Sequence, residues 1–276
     1  VSRLLFGEAL LDEIAAGPNP RPLVLAPPPL LGRVPWAALP VSDPRTGPVR
    51  RLIEVADLVV ALPASLSASL ADREPEPGPV LLVADPLGDL RHARRLRIPG
   101  TQRLGTAHTS ATRDAFIDAA RRAGMLVLVG HVRPGEPADP AASAIRLLGD
   151  NGAGESVVTV ADLAALRVPG VCVVLGCDGA GVATGNEWTG IATGLVWAGA
   201  AQVITTTWPV IDDSVTTAVD ETLIEQVRRH DPYQGLWSWQ RAHAAALRGD
   251  PGSRVSAVYR WAGTVAIGTP GHARHR

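Results

Sequence analysis

The sequence predicts an α/β fold in which helices cover both faces of a mostly parallel central sheet. Short apolar runs rich in β-branched residues occur at residues 80–84, 125–132 and 171–175, and such runs, bounded by turn residues, are typical of buried parallel strands. Segments with helical spacing of apolar residues alternate with them, for example at residues 109–122 and 213–229. A chain of 276 residues with 46% hydrophobic residues can bury the core that this fold requires.

The other predicted elements continue this alternation along the chain. They are a helix at residues 2–16, strands at 23–26 and 58–62, a short helix at 65–71, a hairpin over 145–158, a short helix at 159–166, a helix at 188–198, a strand at 201–207, a helix at 236–247 and a strand at 264–267. Connections between parallel neighbours are right-handed in nearly all proteins, so we expect a doubly wound sheet.

Turn and capping residues mark where these elements stop and start. The Gly-Pro pair at residues 17–18 ends the first helix, and the Asp-Pro pair at 85–86 ends a strand. The Asp-Asn-Gly sequence at residues 150–152 is a turn signal between the two strands of the hairpin. Thr159 is a favourable N-cap, so it predicts the start of the helix that follows the hairpin.

The charge composition argues against nucleic acids and membranes as partners. The chain has 26 basic residues, all of them arginine, against 27 acidic residues, and its formal net charge is −1. The arginines between residues 91 and 103 have no aromatic residues interleaved for base stacking, so they indicate a solvated surface. No apolar run reaches the length of a transmembrane helix.

The cysteines and the N-terminus predict a cytoplasmic protein. The N-terminal residues lack the basic and apolar segments of a signal peptide. The two cysteines, Cys172 and Cys177, lie on one predicted strand and should point to opposite faces, so they cannot easily form a disulfide. A reducing compartment fits this pattern best.

Two predicted strands end in residues that suit nucleophilic catalysis. The strand at residues 125–132 contains His131 near its end, and the strand at 171–175 leads to Cys177. Carboxyl ends of parallel strands share one edge of a sheet, where open α/β folds place their sites. An imidazole beside a thiol can generate the thiolate that attacks a substrate. The alternatives are a polar strand cap and a buried structural thiol, the role we expect for Cys172 in mid-strand.

Six segments of the chain follow one another in the order typical of one protein family. They read LLGRVPWAAL at residues 30–39, LVLVGH at 126–131, VVLGCDG at 173–179, TGIATGLVWAGA at 189–200, VITTTWPVIDD at 203–213 and YRWAGTVAIG at 259–268. In these segments, which extend over nearly the whole chain, the sequence resembles a CHAT domain. This caspase-like family is often fused to tetratricopeptide repeats and belongs to the wider group of caspases, separases and gingipains.

The resemblance implies a caspase-like three-layer sandwich that forms a single domain over residues 1–276. Residues 1–105 would be an N-terminal half that resembles a pseudo-protease, and residues 106–276 would be the half that carries the catalytic dyad. Matched position by position, His131 is the catalytic histidine and Cys177 the nucleophile of a cysteine endopeptidase. This hydrolase would cleave a specific protein partner through a thioester acyl-enzyme, without metal or cofactor.

The sequence departs from the family pattern at two places beside the dyad. In the family, the residue directly after the histidine is usually a glycine whose backbone N–H helps hold the oxyanion, and this chain has Val132 there. The resemblance therefore implies that the backbone N–H groups of Cys177 and Val132 hold the oxyanion. The loop after the cysteine, usually acidic-Thr-Gly, reads Asp-Gly-Ala-Gly at residues 178–181. These departures leave an alternative function open, a catalytically inactive caspase-like module that acts by protein–protein binding.

Polar and aromatic residues near the predicted sheet edge are candidates for substrate binding. Asp212, Asp213 and Asp178 would favour a basic residue before the scissile bond if they face the cleft. Trp208 would line the same pocket. The alternatives are that Asp212 and Asp213 cap the following helix and that Trp208 only packs, and Asp178 is open to either interpretation.

The expected partners also follow from the resemblance. It implies a protein or peptide as substrate, and a regulatory protein or an upstream repeat domain as a further partner. The family context implies a bacterial conflict or cell-death pathway. No nucleic acid and no membrane are expected as partners.

Overall fold

A computed structural model of the protein describes most of the chain. The described residues are 2–17, 19–28, 31–41, 49–61, 70, 77–105, 110–136, 139–150, 152–177, 179–180 and 190–269. The short helix predicted at residues 65–71 lies outside these ranges except for residue 70. Within the described ranges, none of the helices combines the length and the apolar character needed to cross a bilayer.

A mostly parallel sheet forms the centre of the protein, as the sequence predicts. Its strands are Arg21–Leu25 (β1), Ala56–Val60 (β2), Val80–Ala84 (β3), Thr101–Leu104 (β4), Met125–Val129 (β5), Val171–Val174 (β9), Gln202–Thr206 (β10) and Thr264–Gly268 (β11). Their spatial order is β1-β2-β11-β10-β9-β5-β3-β4. Neighbouring strands are parallel except at the antiparallel pair β10–β11. The carboxyl ends of β3, β5, β9 and β10 therefore lie at one edge.

Helices precede or follow most strands, and polar side chains cap several of them. The helices are Ser2–Phe6 (α1), Glu8–Ala15 (α2), Arg113–Arg122 (α3), Val160–Ala164 (α4), Ile191–Trp197 (α5), Ser214–Arg229 (α6), Pro232–Gly249 (α7) and Val258–Trp261 (α8). The side chains of Thr112, Thr159, Asp213 and Asp231 accept hydrogen bonds from N–H groups in the first turns of α3, α4, α6 and α7. The helix start predicted at Thr159 is thus confirmed.

The central sheet is buried on both faces, and the fold has three layers. Successive residues of β5 alternate between two hydrophobic clusters: Val127 packs with α6 and α7 on one face, and Leu128 packs with α3 and α5 on the other. Strands covered on both sides have no polar face, which explains their continuous apolar sequences. The predicted α/β sandwich, with a mostly parallel sheet and helices on both faces, is confirmed.

A small antiparallel sheet follows directly after His131. It consists of Val132–Arg133 (β6), Ala144–Leu148 (β7) and Glu155–Thr159 (β8), in the order β6-β7-β8. Strands β7 and β8 form the hairpin that the sequence predicts, with Leu147 opposite Ser156. This sheet anchors the chain immediately beyond the histidine.

Two predicted helices differ from the observed ones for identifiable reasons. The single helix predicted at residues 2–16 is wrong, because Gly7 has φ = 74° and separates α1 from α2. The helix predicted at residues 236–247 begins earlier, at Pro232, because Asp231 accepts hydrogen bonds from two N–H groups of its first turn.

Candidate functional site

His131 and Cys177 line the same cleft, at the carboxyl edge of the sheet. They belong to the loops after β5 and β9, which are adjacent parallel strands with Leu128 opposite Val174. Each of the two residues lies three positions beyond that pair. Side chains alternate between the two faces along a strand, and His131 and Cys177 lie an even number of positions after Val127 and Val173. Both are therefore on the face of the sheet that α6 covers. The register therefore places an imidazole and a thiol at equivalent positions of neighbouring loops.

A glycine allows these two loops to approach each other closely. A Cβ atom on Gly176 would lie 2.5 Å from the carbonyl oxygen of Gly130 and 3.1 Å from Cγ2 of Val132. Real Cβ atoms do not come so close to a backbone oxygen, so only glycine fits between the loops at this position. The residue before the cysteine thus sets the spacing between the loops that carry His131 and Cys177.

His131 has a carboxylate partner that the sequence analysis missed. Its Nε2 atom lies 3.0 Å from Oδ1 of Asp89, in the loop after β3. The ring is partly buried, whereas Asp89 is half exposed. Strand β3 pairs with β5 on the side opposite β9, so the histidine lies between loops that carry an acid and a thiol. A carboxylate at this position can fix the orientation of the ring.

Asp85 holds the loop that presents Asp89. Its backbone has φ = 53°, in the left-handed region that aspartate tolerates better than most residues. Its buried carboxylate accepts a hydrogen bond of 2.8 Å from the Leu90 N–H and another of 2.8 Å from Nε of Arg94. The arginine-rich segment thus contributes an ion pair to the architecture of the site.

The two cysteines have different environments, and the structure contains both as free thiols. Cys177 is partly exposed and lines the cleft, and the Val210 N–H donates to its sulfur at an N···S distance of 3.4 Å. Cys172 is 0% exposed and packs in the core on the opposite face of the sheet. Of the two cysteines, Cys177 is therefore the one that a molecule in the cleft can reach without local unfolding.

Val132 directly follows His131, and its N–H is directed away from β7. The Arg146 N–H donates to the carbonyl of His131 at 3.1 Å, and Val132 pairs with Ile145. Antiparallel ladders alternate hydrogen-bonded and non-hydrogen-bonded pairs, and this pattern places Val132 in a non-hydrogen-bonded pair. Its N–H thus points off the outer edge of β6, while its side chain is buried.

The acidic residues proposed for substrate binding occupy different positions. Asp212 lines the cleft, but its carboxylate accepts hydrogen bonds from the N–H groups of His92 and Ala93. Asp213 caps α6 and forms a two-bond ion pair with Arg260, which holds the pKa of Asp213 far below its usual range. Asp178 lies outside the described residues.

Trp208 lies in the loop after β10 and packs against the core beside Gly263. A Cβ atom at Gly263 would overlap the indole ring, so the backbone there forms part of the ring's packing surface. The side chain is partly buried and contacts the hydrophobic cluster that also contains α6 and α7. Trp208 therefore packs against the core, which is the alternative role that the sequence analysis gave it.

The cleft contains a second acidic residue besides Asp212, namely Asp220, and the sequence analysis missed it. It lies on α6, lines the cleft together with Thr216 and Thr217, and is 9% exposed. Burial raises its pKa to about 8, because a carboxylate is poorly solvated there. The signal in the sequence was weak, since Asp220 lies in mid-helix, two turns from the predicted sheet edge. Among the described residues, no three His, Cys, Asp or Glu side chains are grouped as metal ligands.

Comparisons with known proteins assign the fold and the family. A family model of the CHAT domain matches residues 2–269. Two crystal structures of the Saccharomyces cerevisiae separase–securin complex, at 3.0 and 2.6 Å resolution, are similar to the protein with a TM-score of 0.57 at 13% sequence identity. The similarity covers 89% of this chain and 15% of the matched chain. A search of curated proteins finds no match. Because the family model extends over nearly the whole chain, the protein belongs to the CHAT domain family.

Proposed function

We propose that the protein is a cysteine endopeptidase in which Cys177 is the nucleophile and His131 the general base and acid. The observation that carries this proposal is that both side chains line one cleft at the ends of adjacent parallel strands. The family and the separase-like fold support it, because they place the chain among caspase-like proteins. A partly exposed cysteine that shares a cleft with a histidine, itself held by a carboxylate, suits nucleophilic catalysis.

The proposed reaction proceeds in two stages. His131 takes the thiol proton of Cys177, and the thiolate attacks the carbonyl carbon of the scissile peptide bond. The backbone N–H groups of Cys177 and Val132 hold the resulting oxyanion. His131 then gives its proton to the leaving amine, which leaves a thioester on Cys177. Water deprotonated by His131 hydrolyses this thioester and restores the thiol.

The proposed substrate is a protein or peptide that enters the cleft as an extended segment. The similar separase structures are complexes with securin, which supports a protein as the partner proposed for this chain. For this chain we propose a dedicated protein substrate, with a regulatory protein or an upstream repeat domain as a further partner. We propose a cytoplasmic location and a role in a bacterial conflict or cell-death pathway.

Hydrolysis of a peptide library tests this function. The wild-type protein and Cys172→Ala are expected to cleave the same peptides, because Cys172 lies in the core on the opposite face of the sheet. Cys177→Ala is expected to reduce cleavage to background, with an unchanged circular dichroism spectrum. If the wild-type protein cleaves no peptide, or if Cys177→Ala cleaves as well as wild type, the endopeptidase proposal is wrong.

Absence of cleavage would favour the alternative function, a caspase-like module that acts by binding. The buried side chain of Val132, where the family usually has glycine, is the observation that favours this alternative. It predicts that a pull-down with Cys177→Ala retains the same protein partner as wild type, with no cleavage product in either sample.

Asp89→Asn is expected to lower kcat about 10- to 100-fold with little change in KM. The amide keeps the size of the side chain but loses the negative charge that faces Nε2 of His131. The effect should be smaller than for a buried triad carboxylate, because Asp89 is half exposed and screened by water.

Steady-state kinetics of Asp89→Asn test this prediction. Asp118→Asn, on the exposed face of α3, is the matched control. The control should have wild-type kinetics. An unchanged kcat in Asp89→Asn would show that Asp89 does not position His131 for catalysis. A loss of thermal stability with a proportional rise in KM would point to a purely structural role.

A further inference from the structure

We propose that an arginine-rich face beside the cleft binds an acidic segment of a protein partner. This arginine face consists of five side chains that lie close together in the sequence: Arg91, Arg94, Arg95, Arg97 and Arg103. Four of these residues are exposed, and Arg103 is partly buried. The proposal applies to an endopeptidase and to an inactive binding module alike, because each needs a protein partner.

The charge of the protein is unevenly distributed around the arginine face. Residues 89–103 contain five arginines and one aspartate, so this stretch has a formal charge of +4. The rest of the chain contains 21 arginines and 26 acidic residues, so its formal charge is −5. The net charge of −1 therefore conceals a local positive region, and such a region attracts segments of opposite charge.

The core and two acidic side chains hold the backbone of this stretch in place. Three apolar residues between the arginines are buried in the hydrophobic cluster that also contains α6 and α7: Ala93, Leu96 and Ile98. Asp212 accepts hydrogen bonds from the N–H groups of His92 and Ala93, and Glu221 accepts one of 3.0 Å from the Arg97 N–H. The arginines therefore project from a fixed backbone, and a partner does not have to order a loop when it binds.

Two guanidinium groups of the arginine face are held side by side. Nη1 of Arg97 donates to the carbonyl oxygens of Arg94 and Leu96, at 2.8 and 2.9 Å. The Arg103 guanidinium donates to the same two oxygens, at 2.6 Å to Leu96 and 2.9 Å to Arg94. Burial and the nearby positive charge of Arg97 lower the pKa of Arg103. A carboxylate bound at this pair would be attracted by both charges.

Ion pairs within the chain leave charge on the arginine face for a partner. Arg94 pairs with the buried Asp85. Arg91, Arg95 and Arg97 form no ion pair with any residue in the described ranges. One exposed pair of arginine and carboxylate contributes little by itself, so recognition of an acidic segment requires several cations in one place. The arginine face supplies them.

The arginine face adjoins one wall of the cleft. Leu90, Ala93 and Leu96 line the cleft together with His131 and Cys177. The exposed arginines lie between and directly after these three residues in the sequence. An acidic segment bound to the arginine face would therefore lie beside the cleft, and a neighbouring part of the same partner could enter it.

The surroundings of the arginine face favour an acidic peptide over a nucleic acid. None of residues 85–105 is a phenylalanine, tyrosine or tryptophan, so bases would have no such ring to stack on. A long polyanion would also extend beyond this face onto a chain whose remaining charge is −5. A short run of aspartate or glutamate residues meets neither obstacle.

Fluorescence anisotropy with two labelled peptides tests the proposal. One peptide alternates glutamate with serine, and the other has glutamine in place of every glutamate. At about 10 mM salt, we expect wild type to bind the glutamate peptide at least about 10-fold more tightly than the glutamine peptide. The preference should shrink at about 150 mM salt, where exposed charges are screened. Cys177→Ala should give the same result, so the measurement does not depend on peptide-bond hydrolysis.

Arg95→Gln combined with Arg97→Gln is expected to lower the affinity for the glutamate peptide about 5-fold. The matched control is Arg121→Gln combined with Arg122→Gln, which removes two charges from the end of α3, on the opposite face of the sheet. The control should bind as wild type does. If circular dichroism shows that the first variant is unfolded, Arg91→Gln combined with Arg95→Gln takes its place with the same expected loss.

Equal binding of the two peptides by wild type would overturn the proposal, and so would equal affinity of the folded arginine-face variant and the control. A labelled single-stranded DNA oligonucleotide is the third ligand. If it binds more tightly than the glutamate peptide and loses affinity in the arginine-face variant, the face is a nucleic-acid site and the proposal is wrong.

Discussion

Replacement of Gly176 by alanine is expected to lower kcat/KM of the proposed peptide hydrolysis about 100-fold. The new Cβ atom would lie 2.5 Å from the Gly130 carbonyl oxygen, so the loops after β5 and β9 must separate. Those loops carry His131 and Cys177, and misplacement of catalytic groups by about 1 Å can cost two orders of magnitude in rate. The same overpacking is expected to lower the free energy of unfolding by about 1–3 kcal/mol. Peptide hydrolysis and urea denaturation measure the two effects.

Gly170→Ala is the matched control for this substitution. Gly170 precedes β9 at the opposite end of the strand, and a Cβ atom there meets nothing within 4 Å. We expect its activity to equal that of wild type and its stability to be unchanged or slightly higher, because alanine restricts the unfolded chain. Equal activity of the two glycine variants would contradict the claim that the contact between Gly176 and Gly130 positions the proposed dyad.

Asp213→Ala is expected to lower the free energy of unfolding by about 3–4 kcal/mol at pH 7. The Arg260 side chain is 2% exposed, and Asp213 accepts two of its hydrogen bonds. Alanine removes both Asp213 acceptors from this guanidinium and leaves it with the Thr216 hydroxyl, the Arg254 carbonyl and the Tyr259 side chain. It also removes the N-cap of α6, where the Thr216 N–H donates to Asp213 at 2.7 Å.

The effect of Asp213→Ala should depend on pH in a defined direction. The ion pair with Arg260 lowers the pKa of Asp213 in the folded protein, whereas an unfolded aspartate titrates near pH 4. The stability from this carboxylate is therefore fully present above about pH 4 and is lost as the pH falls through the lower, folded pKa. The difference in unfolding free energy between wild type and Asp213→Ala should be largest near neutral pH and shrink below pH 4.

Asp213→Asn separates the cap from the charge. Asparagine is as good an N-cap as aspartate, so this variant should lose only the part of the stability that comes from the ion pair. Urea denaturation of the three proteins at pH 7 and pH 3 makes the comparison. If Asp213→Ala is as stable as wild type at pH 7, or if the difference is the same at both pH values, the pair with Arg260 does not act as described.

Much of the architecture could be predicted from local patterns. The strands around residues 127 and 173 are continuous apolar runs because both faces of the sheet are covered, and such runs are recognisable without a structure. Their ends carry His131 and Cys177, so strand polarity alone brought these two residues to one edge. Alternation along β9 also predicted that Cys172 lies in the core on the other face.

Other parts of the site depend on contacts between distant segments and have no local signal. Asp89 meets His131 because β3 pairs with β5, and this strand order cannot be read from the spacing of either residue. Asp220 reaches the cleft only through the packing of α6 on the sheet. Asp213 was correctly recognised as a possible cap, but its pairing with Arg260 joins residues far apart in the sequence.

The alkylation rate of Cys177 by iodoacetamide tests most directly whether His131 activates this sulfur. Peptide mapping by mass spectrometry follows Cys177 and Cys172 in one sample, so the buried thiol is an internal reference. We predict that Cys177 in wild type reacts at least about 10-fold faster than Cys177 in His131→Ala, because the thiolate is the reactive form, and that Cys172 remains unlabelled. Equal rates for Cys177 in the two proteins, or a Cys177 as inert as Cys172, would contradict the proposed pairing of imidazole and thiol.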